Sequence, residues 1–194
     1  MRFETPLCEI AYRERTDKCP QIRHSYTPVY YRLFFPIRES VKKVLEIGIG
    51  CQETMIDTPN YKTGASLRMW REFFPNAEIH GADILPETMF EDDRIKTHLC
   101  DATDPEQVAK LIGEIGSDID LVIDDGSHWR RDQINAAKNL MHLLHRKVYY
   151  FIEDIEHQRL LLRELNRYHC LLFEGTSGQR KDKMILVRHR KEGI

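Results

Sequence analysis

From residue 43 onward, short apolar runs alternate with longer amphipathic segments. The runs are rich in β-branched residues, whereas the segments between them repeat apolar side chains every three or four positions. This alternation is typical of an α/β fold, in which helices connect the strands of a parallel sheet. The predicted strands cover residues 43–47, 77–83, 95–101, 120–124, 147–154, 170–174 and 184–188. The predicted helices lie around residues 67–74, 108–115, 134–144 and 161–168.

The connection between the last two predicted strands differs from the others. Only residues 175–183 separate them. A helical crossover between parallel strands takes about a dozen residues or more, so this pair is predicted to be an antiparallel hairpin. The expected sheet therefore has seven strands, mostly parallel, with a five-stranded parallel core and a C-terminal antiparallel hairpin.

The first 40 residues carry no sustained hydrophobic period, and prolines interrupt them repeatedly. We expect irregular turns and short helices in this part. A chain of 194 residues is long enough for one sizeable core, and nothing in its length requires a second one. Residues 1–40 are therefore expected to form a cap on the single domain built by residues 41–194.

Composition and charge disfavour several classes of function. The formal net charge of −2 gives no excess of basic residues, which disfavours nucleic acid as a partner. No apolar run approaches the roughly 18 residues that a membrane span needs, and the N-terminal residues lack a signal-type apolar region. The five cysteines are widely spaced and odd in number, which fits reduced thiols better than disulfides or a zinc site. These features predict a cytoplasmic protein.

Acidic residues stand at or near the carboxyl end of every predicted parallel strand. In open α/β sheets, ligands bind outside these strand ends. The side chains of interest are Glu46, Asp83, Asp101, Asp124, Asp125, Glu153 and Asp154.

The first strand is followed by glycines that favour a bound nucleoside. Gly48 and Gly50 allow a tight turn and a close approach to a ligand. Asp83, at the end of the second strand, can accept both ribose hydroxyls. The loop lacks the GxGxxG pattern that a pyrophosphate would need, so a nucleoside without phosphates fits better. S-adenosylmethionine is the obvious candidate, and Asp101 and Ala102 would flank its adenine.

Carboxylates from two neighbouring strand ends predict a metal site. Asp125, Glu153 and Asp154 would repel one another strongly unless a cation or protons intervened. Magnesium prefers oxygen ligands and is commonly held by a few carboxylates. His128, three residues after Asp125, could accept a proton from a hydroxyl whose acidity the metal has raised.

Each fragment also has an ordinary structural explanation. Asp-Gly-Ser is a common turn, and His128 taken alone would more often cap or hydrogen-bond than catalyse. Glu153 and Asp154 could cap the next helix. The presence of both fragments at neighbouring strand ends favours the catalytic interpretation.

Several motifs together resemble one family over nearly the whole chain. They are TDK (16–18), HSYTPVY (24–30), VLEIGIG (44–50), GASLRMWREFFPNAEIHGADI (64–84), DLVIDDGSH (120–128) and FIEDI (151–155). The sequence is similar to the magnesium-dependent sugar O-methyltransferases of the macrolide type, such as mycinamicin and demethylmacrocin O-methyltransferases. It also resembles the wider group that includes proteins described as cephalosporin hydroxylases.

The resemblance implies a Rossmann-like class I methyltransferase fold and a set of site residues. It implies that magnesium is held by Asp125, Glu153 and Asp154 and that His128 is the general base. The TDK and HSYT segments would fold over the pocket. The residues that the family pattern places around S-adenosylmethionine are Glu46, Gly48, Gly50, Ser66, Asp83, Asp101, Ala102 and Asp124.

The leading hypothesis is methylation of a sugar hydroxyl, with a deoxyhexose such as rhamnose on a glycan or natural product as the acceptor. A catechol or phenol O-methyltransferase is the alternative enzyme, because the same metal chemistry serves both diols. An oxygenase fits poorly, since the two-histidine, one-carboxylate iron site lacks its second histidine. A donor-binding module of a larger glycan-building protein remains open, as do a homo-oligomer and a fusion to glycosyltransferase modules.

Overall fold

A computed structural model describes residues 2–55, 58, 61–177 and 180–190. Over these residues, the chain forms one eight-stranded sheet with helices on both faces. The strands are β1 (Lys43–Ile47), β2 (Glu78–Asp83), β3 (Glu91–Asp92), β4 (Ile95–Leu99), β5 (Leu121–Asp124), β6 (Tyr149–Ile152), β7 (His169–Ser177) and β8 (Arg180–Arg188). Their order across the sheet is β3-β4-β2-β1-β5-β6-β8-β7.

The parallel core and the terminal hairpin that the sequence predicts are confirmed. Strands β4, β2, β1, β5 and β6 are parallel, whereas β8 runs antiparallel to both β6 and β7. The eighth strand, β3, has only two residues and pairs antiparallel with β4. Two residues are too few to produce an alternating pattern, so β3 has no signal in the sequence.

Six α-helices cover the two faces of the sheet. They are α1 (Pro6–Glu14), α2 (Thr27–Phe34), α3 (Ala65–Phe73), α4 (Pro105–Ile115), α5 (Arg130–Met141) and α6 (Gln158–Glu164). The first three pack on one face and the last three on the other. No helix in this described part combines the length and the hydropathy that a membrane crossing requires.

The alternation of side chains along the strands builds both cores. Leu45 and Val122 face the helices α4 to α6, while Val44, Leu121 and Ile123 face α1 to α3. This is the period of two that places successive strand residues on opposite faces. All of them are fully buried, so the sheet is covered on both sides and its carboxyl edge is left to hold a ligand.

The first 40 residues are part of this core. Thr5 caps α1 by accepting a hydrogen bond from the backbone N–H of Cys8. The ring of Tyr30 on α2 lies 5.1 Å from that of Trp70 and 4.9 Å from that of Phe151. These aromatic contacts bury about 150–250 Å² per ring and fix α2 against the centre of the sheet. The segment between α1 and α2 is thereby held at the sheet's carboxyl edge.

A buried histidine pair on the sheet predicts a pH-dependent stability. His80 on β2 is 7% exposed, and its Nδ1 lies 3.1 Å from Nε2 of His98 on β4. Burial, reinforced by the neighbouring His98, lowers the pKa of His80 to about 4. Between pH 6.5 and 4 the unfolded state therefore binds a proton that the folded state does not, so stability falls as the pH falls through this range.

We expect the wild-type protein to lose up to roughly 3 kcal/mol of unfolding free energy through His80 as the pH falls from 7 to 4. The check is a set of urea titrations at intervals across that range. The variant His80→Gln has no group to protonate and should show a shallower pH slope. The exposed His142→Gln should keep the wild-type slope, and equal slopes for all three proteins would contradict this assignment.

Candidate active site

A cavity of about 620 Å³ lies at the carboxyl edge of the parallel strands. Its walls come from the loops after β1, β2, β4, β5 and β6 and from the segment before α2. Ten of the residues predicted for the site line it: Gly48, Gly50, Ser66, Asp83, Asp101, Ala102, Asp124, Asp125, His128 and Asp154. Glu46 and Glu153 do not appear on the cavity wall.

The loop after β1 is bound to the end of β2. Asp83 accepts hydrogen bonds from the backbone N–H groups of Ile49 at 2.8 Å and Gly50 at 3.3 Å. Its other oxygen accepts from the N–H of Leu85 at 3.0 Å. The carboxylate still faces the cavity, where its remaining lone pairs can accept ribose hydroxyls. Asp83 therefore shapes the loop and stays available to a nucleoside.

Gly48 sits where no other residue fits. Its φ is +86°, and a Cβ atom at this position would lie 2.1 Å from the carbonyl oxygen of Asp125. That oxygen belongs to backbone and cannot swing aside. The glycine therefore allows the β1 loop and the β5 loop to pack side by side at the floor of the cavity.

Gly48→Ala is expected to destabilise the protein by roughly 2 kcal/mol or more, because the left-handed conformation and the clash both oppose it. Displacing the two loops should also weaken binding of the demethylated donor, S-adenosylhomocysteine, by at least about tenfold. Calorimetry and thermal melting measure the two effects. Gly113→Ala on α4 is the matched control, since no atom lies within 4 Å of its added Cβ. An unchanged affinity in Gly48→Ala would contradict the predicted donor position.

The loops after β4 and β5 complete the donor side. Asp101 accepts hydrogen bonds from the backbone N–H and the hydroxyl of Thr103, at 2.8 and 2.7 Å. Asp124 is buried and accepts a hydrogen bond from the hydroxyl of Tyr150 at 3.0 Å. Burial is the main cause that raises the pKa of Asp124 to about 7. Ala102 lies beside Asp101 on the same wall.

Asp125, His128 and Asp154 form a cluster on the wall of the cavity. One ligand atom of each lies within 4.8 Å of the others. Nε2 of His128 is 3.0 Å from Oδ1 of Asp125 and 3.7 Å from Oδ2 of Asp154. The two carboxylate oxygens suit a hard divalent cation, and the imidazole nitrogen lies beside them. The structure therefore brings together three of the four residues predicted for the metal and the base.

Two members of this cluster have strained backbones. His128 has a φ of 59° and Asp154 a φ of 50°, and among the described residues only two other non-glycine residues have positive φ. Such conformations cost of order 1–3 kcal/mol and persist where the surrounding structure determines them. The strain aims both side chains into the cavity, as expected for a functional site.

His128 and Asp125 shift each other's pKa. Burial opposes protonation of His128, but the hydrogen bond and the charge of Asp125 outweigh it and raise the pKa of His128 to about 9. Burial likewise opposes ionisation of Asp125, yet Lys18 and His128 reverse this and lower the pKa of Asp125. Asp125 is therefore a carboxylate and His128 an imidazolium at neutral pH.

A buried lysine that sequence reasoning missed lies behind this cluster. The side chain of Lys18 is 2% exposed, and its Nζ lies 2.5 Å from both Asp125 Oδ2 and Glu153 Oε2. It also lies 3.3 Å from Oε1 of Glu46. The TDK motif contained this residue, but only as part of a segment expected to fold over the pocket. The signal that could have found it is the excess of predicted buried carboxylates, which needs a counter-ion.

The positions of Glu46 and Glu153 differ from their predicted roles. Glu153 was predicted as a metal ligand, but its oxygens contact Lys18 and the hydroxyl of Tyr30, the latter at 2.7 Å. Glu46 was predicted beside the donor, but it accepts a hydrogen bond from the indole N–H of Trp70 at 2.7 Å. Both glutamates are fully buried and share Lys18 as their counter-ion.

The segment before α2 forms the remaining wall. His24 Nδ1 lies 2.9 Å from Oδ1 of Asp182 on β8, and Ser25 donates its backbone N–H to the other oxygen at 2.8 Å. Asp17, Arg23 and His24 line the cavity. The expectation that the TDK and HSYT segments close over the pocket agrees with this position.

Comparison with known proteins identifies relatives of this chain. No family model matches it. It is 35% identical over 150 residues to 8-demethyl-8-α-L-rhamnosyl tetracenomycin-C 2′-O-methyltransferase of Streptomyces olivaceus, which covers 77% of this chain and 38% of that protein. It is 38% identical over 122 residues to mycinamicin VI 2″-O-methyltransferase of Micromonospora griseorubida, covering 63% of this chain and 29% of that protein. The chain thus spans less than half the length of these curated relatives.

A solved structure of a methyltransferase resembles the fold of this chain. The MycE methyltransferase of the mycinamycin pathway, in complex with Mg, SAH and mycinamycin VI, is 26% identical to this chain with a TM-score of 0.77. The match covers 97% of this chain and 55% of that one. By sequence and by fold, the chain is similar to the sugar O-methyltransferases that these proteins represent.

Proposed function

We propose that this chain is the catalytic domain of an S-adenosylmethionine-dependent O-methyltransferase that acts on a sugar hydroxyl of a glycosylated molecule. The observation that carries the proposal is one shared cavity. The glycine loop and Asp83 line it, and so does the cluster of Asp125, His128 and Asp154. A methyl donor and a polarised hydroxyl would meet within this cavity.

The donor would lie along the loops after β1, β2 and β4. Gly48 lets the backbone approach it, Asp83 accepts its ribose hydroxyls, and Asp101 and Ala102 border its base. S-adenosylmethionine supplies an activated methyl group on a sulfonium. What the protein adds is orientation and exclusion of water, because the segment before α2 also lines the cavity through Thr16, Asp17, Lys18, Arg23 and His24.

Asp125 and Asp154 are the residues that would hold magnesium in this proposal. A bound magnesium ion supplies a positive charge that lowers the pKa of an acceptor hydroxyl. His128 is then positioned to accept the hydroxyl proton on Nε2. The charges of Asp125 and Asp154 favour the protonated imidazole, so they have to be balanced before His128 can act as a base. Glu153 would support the site through Lys18 instead of lining it.

The acceptor is proposed to be a deoxyhexose such as rhamnose on a glycan or natural product. Support comes from the relatives, whose names specify rhamnosyl and macrolide substrates. A vicinal diol can also contact both a cation and the polar groups of Asp17 and Arg23 at the same end of the cavity. We also propose a cytoplasmic location. All five cysteines are free thiols, as is usual in a reducing compartment.

The test is mass spectrometry of products formed with deuterium-labelled donor, magnesium and a panel of rhamnosides, other deoxyhexosides and catechols. The proposal expects a labelled methyl on a sugar and loss of product when a chelator removes the metal. Methylation of catechols alone would establish the small-molecule alternative. Binding of S-adenosylhomocysteine without turnover on any acceptor would favour a donor-binding module.

A further inference from the structure

Lys18 joins the carboxyl ends of the three central strands through one buried ammonium group. Its partners are Glu46 on β1, Asp125 directly after β5 and Glu153 directly after β6. The whole residue is 1% exposed. A lysine is rarely buried so completely unless it is paired, and here three carboxylates surround it.

The position of Lys18 is fixed by its backbone as well as by its charge. Its carbonyl accepts hydrogen bonds from the N–H groups of Tyr26 at 3.2 Å and Thr27 at 3.1 Å, where α2 begins. Asp182 holds the intervening His24 and Ser25 from the other side. The backbone around Lys18 is therefore fixed by hydrogen bonds, and this fixes the position of its ammonium group at the sheet edge.

The two oxygens of Asp125 are divided between the interior and the cavity. Oδ2 contacts Lys18 at 2.5 Å, whereas Oδ1 contacts His128 at 3.0 Å. Lys18 thereby fixes the plane of this carboxylate and aims Oδ1 at the cavity. It also holds Glu153 inward, so the carboxylate oxygens that meet His128 come from Asp125 and Asp154.

We propose that Lys18 is a positioning residue of the cation site, one that orients Asp125 toward the cavity and balances the charge of Glu153. This inference rests on the proposed function, because it takes the cluster of Asp125 and Asp154 to be the place where the cation binds. Without the ammonium group, Glu46, Asp125 and Glu153 would face one another without their shared counter-ion and repel. The site would then lose its geometry although Asp125, His128 and Asp154 all remained.

The experiment compares Lys18→Met with Lys110→Met in the full chain. Lys110 is 80% exposed and lies 4.0 Å from Glu114, so its variant breaks a surface ion pair instead of a buried one. Manganese, a spectroscopic substitute for magnesium, is titrated by calorimetry and electron paramagnetic resonance. We expect Lys18→Met to weaken manganese binding at least tenfold and to change the affinity for S-adenosylhomocysteine by less than threefold. Lys110→Met should change neither.

A second variant keeps the test decisive if Lys18→Met folds poorly. Lys18→Met combined with Glu153→Gln removes one positive and one negative charge, so it should melt at a higher temperature than Lys18→Met alone. Asp125 still lacks the ammonium group of Lys18 in this protein. Its affinity for manganese should therefore stay at least tenfold below that of the wild type. Manganese affinity within threefold of wild type in either folded variant would overturn the positioning role. Failure of the wild type to bind manganese would overturn both this role and the metal part of the proposed function.

Discussion

Asp154→Asn is expected to weaken binding of the divalent cation by at least about tenfold and to lower the rate of methyl transfer by at least about 100-fold. Its carboxylate lies in the cluster with Asp125 and His128, and its backbone φ of 50° directs it there. The substitution removes the charge while keeping size and shape. Lys18 keeps all three of its carboxylates, so the interior of the protein should be unaffected.

Manganese titration and single-turnover methylation measure the two effects of Asp154→Asn. Asp118→Asn is the matched control, because the Asp118 side chain is 77% exposed and pairs only with Lys43 among the ion pairs of the described residues. Affinity for S-adenosylhomocysteine should be within about twofold of wild type in both variants. A cation affinity in Asp154→Asn equal to that of the control would remove Asp154 from the site.

His128→Gln is expected to lower kcat by about 10²- to 10⁴-fold, the usual contribution of a general base. Glutamine keeps a polar side chain near Asp125 but cannot accept and hold a proton at neutral pH. Because the donor is proposed to contact the loops after β1, β2 and β4, its affinity should change little. Steady-state kinetics and calorimetry separate these two quantities.

The pH profile distinguishes a base from a structural histidine. If His128 takes the proton, the limb of the kcat profile that rises with pH should flatten in His128→Gln, because the group that must be deprotonated is gone. The exposed His142→Gln should keep the wild-type profile. An equal loss of kcat and of donor affinity, with the pH profile unchanged in shape, would identify His128 as a structural residue.

The sheet and the cavity could be predicted because they depend on local patterns. Runs of β-branched residues identify the parallel strands, and parallel strands place their carboxyl ends at one edge. Asp83 at the end of β2, and Asp125 and Asp154 after β5 and β6, follow directly from that rule and line the cavity. The hairpin of β7 and β8 followed from the length of its connection, although both strands are longer than predicted.

The direction in which two of the glutamates face could not be predicted in the same way. Glu46 and Glu153 stand in the correct register at the sheet edge, but the choice between cavity and interior depends on a partner far away in sequence. Lys18 is 107 residues from Asp125 and 135 from Glu153. It lies in a segment without helical or strand periodicity, so no local pattern marks its side chain as buried. Only the tertiary arrangement of α2 places it there.

The contact between Asp182 and the segment around Ser25 has a consequence for the order of assembly during translation. Asp182 on β8 follows Ser25 by 157 residues in the sequence. A nascent polypeptide that has not released β8 from the ribosome can form the parallel strands but lacks the contact that holds His24 and Ser25. The segment around Ser25 should therefore take up its native position only after β8 has emerged.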